Sequence, residues 1–151
     1  MGPISWRLPS DLKRFKRLTL NHYLIVGRKT YEVLPTLRDR HLVVVSSVPS
    51  NILGLRHWIA KSPPDAVALA MTESQVHGCG DVYVGGGAQI YRELWPYATR
   101  ALITRIDADI EGDIIFPEPE NDDSWSWHTL PIAKNKDDEH TTSLDIGVRI
   151  V

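Results

Sequence analysis

The chain has 151 residues, 42% of them hydrophobic, enough for one domain whose core needs neither a metal nor a disulfide. Its 17 Lys and Arg against 19 Asp and Glu leave a net charge of −2, which argues against a surface built for nucleic acid or an anionic membrane, so any basic site has to be local. The lone Cys79 excludes an internal disulfide, no Cys/His cluster has zinc spacing, no apolar run approaches the roughly 20 residues of a membrane span, and no signal-peptide layout is present; the expectation is a cytoplasmic protein without a metal.

In chain order, "SWRLPSDLKRFKRLTL" predicts an amphipathic helix with Leu8, Leu12, Phe15 and Leu18 on one face and Lys13, Arg14, Lys16 and Arg17 on the other. Asp11 falls on the apolar side. "HYLIVG" (His22 to Gly27) predicts a strand, and "RKTYEVL" a short helix directly after it. "HLVVVSS" (His41 to Ser47) is too continuously apolar to face water on one side, so it is expected to be central and parallel. "RHWIA" (Arg56 to Ala60) is a further strand, and "PPDAVALAMTESQV" a helix with Pro at its start and Gly78 at its close. "DVYVGGG" (Asp81 to Gly87) runs from a strand into a glycine cluster, and "AQIYRELW" is a helix that Pro96 halts. "RALITRIDADI" (Arg100 to Ile110), "WSWHTL" and "TTSLDIGVRIV" predict strands, the last two joined by the charged "AKNKDDEH". The chain therefore begins α/β and ends antiparallel, as a single domain over residues 1–151, with "FPEPENDD" as a surface loop.

Three strand ends carry candidate chemistry. Glycines after "DVYV" let backbone amides approach a phosphate, or simply make a tight turn. In "GRKT" (Gly27 to Thr30), Arg28 and Lys29 sit where a strand meets a helix start, an unfavourable place for cations unless an anion is bound. Ser46 and Ser47 end another strand. If these strands are parallel neighbours, the three ends share the sheet edge where open α/β folds bind ligands. Asp11 is either a first-turn residue favouring the helix dipole or a partly buried carboxylate with raised pKa that binds an amino-heterocycle or relays a proton. Arg40 is either a solvated cation or the holder of an acidic ligand. Trp6, Trp58, Trp95, Trp125 and Trp127 are read as packing residues.

Together "ISWRLPSDLKRFKRLT", "VGRKTYE", "VVVSS", "VGGGAQIY" and "LITRIDADIEGDIIFP" resemble dihydrofolate reductase, in the family's order and at its intervals, over nearly the whole chain. The resemblance implies an α/β fold with a mixed, mainly parallel sheet, an antiparallel C-terminal strand and helices on both faces. It implies reduction of 7,8-dihydrofolate to tetrahydrofolate by hydride transfer from NADPH. Asp11 then matches the acidic residue that binds the pterin and assists protonation of N5, and Thr104 the residue linked to the same pterin edge. Leu12 and Phe15 match the apolar walls of the folate pocket, Trp6 the edge of the active-site loop, and Arg40 the arginine that holds the α-carboxylate of the glutamate tail. Gly27, Arg28, Lys29, Thr30, Ser46 and Ser47 match cofactor contacts, and an Arg and Lys beside the 2′-phosphate favour NADPH over NADH by charge. Gly86 and Gly87 match the glycine pair against the pyrophosphate, with Gln89 and Ile90 on the helix beyond.

The sequence departs from that pattern at its start, where only "MGP" precedes Ile4 while the family has a central strand and most of a flexible loop. With that first family strand absent, a rearranged sheet, a homodimer or reduced activity is the expectation. Gly85 stands where the family usually has Ile or Val, and "LPTLRDR" is a shorter and more charged loop before Arg40. The alternatives to an active reductase are a non-catalytic NADPH- or folate-binding relative and, less well matched by Asp11 and Arg40, a pteridine or riboflavin-precursor reductase.

Overall fold

A computed structural model describes residues 9–33, 40–47, 57–106, 123–139 and 141–150. Two compact units emerge, one built on Lys16–Leu94 and the other on Trp95–Val151 together with the chain up to Phe15. Helix α1 (Pro9–Thr19) contributes to both. Trp6 and Leu8, the Pro-containing loop before Arg40, and the "FPEPENDD" segment up to Asp122 lie outside the described residues.

The first unit is a parallel α/β sheet. Its elements are β1 (Tyr23–Gly27), α2 (Arg28–Val33), β2 (His41–Val45), β3 (His57–Ala60), α3 (Pro63–His77), β4 (Val82–Val84) and α4 (Ala88–Leu94). The strand order is β3-β2-β1-β4, with every pairing parallel, so β1 and β2 are central as their composition predicts. Tyr23, Leu24, Ile25 and Val26 are all essentially fully buried, a continuous run rather than an alternation because both faces of β1 are covered. At about 1.5–3 kcal/mol for each large apolar side chain, this strand is a main source of the unit's stability. Tyr23, Ile25 and Val43 pack with Ala66 and Ala70 of α3 and with Ile90 and Leu94 of α4. The alanines bring α3 close to the sheet. Its start is capped by Ser62, whose hydroxyl accepts from the Asp65 amide at 3.3 Å, and its end by Gly78 in the left-handed conformation, as the Pro and Gly signals predict.

The second unit is an antiparallel sheet of β5 (Arg100–Ile106), β6 (Trp125–Ile132) and β7 (Thr142–Arg149) in the order β5-β7-β6. The α/β class and the parallel-then-antiparallel sequence of strands hold, with the strands divided between two sheets. Strand β6 runs through Pro131, two residues longer than "WSWHTL"; as an edge strand it tolerates a residue that cannot donate to the ladder. Trp95 stacks on Trp125 with ring centroids 4.5 Å apart, and Trp125 on Trp127 at 5.7 Å. Arg149 lies 4.8 Å from the Trp125 ring centre while donating to the carbonyls of Ala98 and Trp95. These tryptophans are packing residues. After α4 the chain makes one 3-10 turn over Trp95–Tyr97, so Pro96 sits within a tightened continuation rather than ending the helix outright. Among the described residues no helix is long and apolar enough to cross a membrane.

Candidate active site

The parallel register of the first unit brings the candidate strand ends together. Gly27 lies opposite Val45, Val45 opposite Ala60, and Ile25 opposite Val84, so Gly27–Thr30, Ser46–Ser47 and Gly85–Gly87 all follow the C-terminal edge of one sheet. The pairing continues past the strands: the Gly85 amide donates to Ile25 O and the Gly27 amide to Gly86 O, both at 2.8 Å, and the Ser46 amide to Ala60 O at 2.9 Å. This is the edge where ligands bind in open α/β sheets.

Glycines at 27 and 85–87 leave part of this edge without side chains. Gly86 has φ of 108°, a conformation that side-chain-bearing residues rarely adopt, and a Cβ there would lie 3.1 Å from the Tyr91 ring. The Gly86–Gly87 peptide is cis, and the Tyr91 amide donates to Gly87 O at 2.9 Å. Around this backbone, Arg28 is half-exposed and 3.9 Å from Glu32, Lys29 and Ser47 are exposed, and Thr30 and Ser46 are buried. On α4, Gln89 is exposed and Ile90 is buried in the core.

Two further groups lie on or against α1. In the second unit, Asp11 accepts from the Thr104 hydroxyl of β5 at 2.5 Å and from Arg14 Nη1 at 3.2 Å. Both bonds go to Oδ1. The Asp11 side chain is 38% exposed, so it is a hydrogen-bonded carboxylate that keeps part of its surface accessible. Near it on α1, Leu12 is 56% exposed. In the first unit, Arg40 is buried just ahead of β2, and its Nε donates to the Thr19 hydroxyl at 2.9 Å. Arg40 is therefore a placed guanidinium and not a solvated cation.

A family model described as dihydrofolate reductase matches residues 2–148. The chain belongs to the dihydrofolate reductase family. It is 34% identical to the dihydrofolate reductase of Bacillus subtilis strain 168 over 138 residues, covering 90% of this chain and 76% of that relative. It is 37% identical over 122 residues to dihydrofolate reductase HdrB of Haloferax volcanii, covering 78% of this chain and 62% of that protein. Against dihydrofolate reductase type 3 of Salmonella typhimurium the figures are 36% over 116 residues, 76% of this chain and 67% of the relative.

Within this family member, three residues around the candidate site are not marked as functional by the sequence pattern. Helical periodicity places Arg14 on the solvated face of α1, yet it turns back to Asp11; the i, i+3 spacing is the available signal. Thr19, 1% exposed, holds Arg40 from 21 residues away in the chain, and no local pattern marks it. Asp138 binds Ser10, the residue before Asp11, across 128 positions.

Proposed function

We propose that this chain reduces 7,8-dihydrofolate to 5,6,7,8-tetrahydrofolate with NADPH as the reductant. Family membership supports the reaction class. The observation that carries the substrate half is the Asp11–Thr104 pair: a carboxylate whose Oδ1 is held by a β-strand hydroxyl at 2.5 Å. The carboxylate so held pairs with the amino and ring N–H groups of a pterin, and this pairing fixes the ring's orientation. Arg14 offsets part of the negative charge at 3.2 Å. The same carboxylate assists delivery of the proton that N5 receives as the C=N bond is reduced. Leu12 and Phe15 supply apolar surface on the same helix, and Arg40, oriented by Thr19, binds the α-carboxylate of the glutamate tail.

The C-terminal edge of the first unit suits a phosphate-bearing dinucleotide. Gly27, Gly86 and Gly87 leave backbone without side chains there, and Arg28, Lys29, Thr30, Ser46 and Ser47 surround it with cations and hydroxyls. The Arg28–Glu32 pair is long and exposed, so it competes weakly with a phosphate for the guanidinium. When bound, NADPH supplies the hydride; Arg28 and Lys29 select its 2′-phosphate, and Gln89 and Ile90 border the site from α4.

The test is NADPH oxidation with dihydrofolate by the purified protein and by Asp11→Asn. The unsubstituted chain is expected to turn over, and the variant to lose about 100-fold or more in kcat while still binding NADPH. Equal rates in the two proteins, or no turnover in either, would overturn the assignment.

A further inference from the structure

We infer that Asp138, on the connection between β6 and β7, is a positioning residue for the Asp11 carboxylate. The inference rests on the reading of Asp11 as the group that meets the pterin.

Asp138 is only 5% exposed, on a connection whose described neighbours Asn135, Lys136, Asp137 and Glu139 all face solvent. Its carboxylate receives the Ser10 amide on Oδ1 at 3.1 Å, and on Oδ2 the Ser10 hydroxyl at 2.6 Å and the Asn135 amide at 3.3 Å. Ser10 is the second residue of α1 and the immediate neighbour of Asp11. The first N–H groups of a helix have no partner within it, and an outside carboxylate satisfies one of them while complementing the helix dipole. In a common N-cap the acceptor belongs to the chain just before the helix. Here it comes from a distant connection, and both the backbone and the side chain of residue 10 are held.

Asp11 is thereby constrained twice. Its backbone follows a Ser10 fixed to the β6–β7 connection, and its Oδ1 is fixed to Thr104 on β5. A side chain held only at its tip still swings with its helix turn, whereas one held at backbone and tip has a single place to be. Asp138 is well suited to hold Ser10 because it stays ionised. The Ser10 hydroxyl bond, against the opposing effect of burial and with help from the Ser10 and Asn135 amides and Lys134, keeps its carboxyl below the usual carboxylate range.

The experiment compares Asp138→Ala, Asp138→Asn and Ser10→Ala with Ser62→Ala, which removes the cap of α3 and serves as a destabilised control. Readouts are kcat with dihydrofolate, KM for NADPH, Tm, and the Thr104 methyl resonance. Asp138→Ala is expected to lower kcat about 10- to 100-fold with the NADPH KM unchanged and to move the Thr104 resonance. Asp138→Asn, which still accepts the Ser10 amide, falls between it and the unsubstituted protein. Ser62→Ala lowers Tm but leaves kcat and the resonance in place. Unchanged kcat and an unmoved Thr104 resonance in Asp138→Ala would overturn the inference whatever happens to Tm. If that variant does not fold, the same two readings in Ser10→Ala decide it. Absence of turnover in the unsubstituted protein would sink the functional reading alone, since the Thr104 resonance still reports whether Asp138 places Asp11.

Discussion

Asp11 shows how much a single residue's meaning depends on distant partners. Its place among Leu12, Phe15 and Leu18 is visible as an anomaly in the helix pattern, but helix-dipole and ligand-binding readings predict the same local sequence. Thr104, 93 positions away, engages Oδ1, a contact that the helix-dipole reading does not call for and that supports the proposed ligand-binding one. Thr104→Val should therefore weaken dihydrofolate turnover about 10- to 100-fold in kcat/KM, as expected for loss of one hydrogen bond to a charged group, and steady-state kinetics on the variant checks it. Asp145 of β7 poses the complementary case, a carboxylate spent on structure. Burial opposes its ionisation, but hydrogen bonds from Arg105 and Thr129 and the Arg105 charge outweigh this and hold its carboxyl below the usual range. Because the folded group ionises more readily than the unfolded one, its contribution is complete above the ordinary Asp value near ~3.9 and is lost as pH falls through the lower folded value. Asp145→Asn should lower stability at neutral pH and flatten its decline on acidification, as urea titrations at pH 7 and pH 3 would register. Neither Arg105 nor Thr129 is marked by sequence spacing, since both reach Asp145 across strands.

At the scale of elements, legibility follows the range of the forces involved. The helix α3 is readable because its Pro start and Gly stop are local chemistry, and β1 and β2 because strands buried on both faces carry unbroken apolar runs. The end of α4 and the length of β6 are less so. Whether Pro96 stops a helix or enters a 3-10 turn, and whether Pro131 can stay in a strand, depends on neighbours. Gly147 illustrates the same limit. Nothing near it in the chain distinguishes it from an ordinary strand residue, yet it faces Trp127 across the β6–β7 ladder, and a Cβ would lie 2.5 Å from the indole ring. Gly147→Ala is expected to destabilise the protein by about 1–3 kcal/mol through overpacking, measured as a lower denaturation midpoint. A midpoint equal to that of the unsubstituted chain would mean the ring shifts freely.

Taken as a whole, the molecule assigns its candidate chemistry to separate units: the phosphate-suited edge to the parallel sheet of Lys16–Leu94, the Asp11–Thr104 pair to the antiparallel one. If the edge takes NADPH as proposed, the cofactor at 100 times its Kd should stabilise the protein by about 2.7 kcal/mol, seen calorimetrically as a rise in Tm of roughly 5–10 °C. A Tm indifferent to NADPH would contradict that assignment. The sequence alone determined the α/β class, the order of elements, the dihydrofolate reductase resemblance and the residue types at the strand ends, because periodicity, capping and turn chemistry act between residues near one another in the chain. Only the tertiary structure decided that Arg40 is held by Thr19, that Thr104 and Arg14 both engage the same oxygen of Asp11, and that Asp138 grips the turn around it. Hydrogen bonds between distant residues are satisfied by whichever group the fold delivers, and many side chains present equivalent donors and acceptors until the backbone has selected among them.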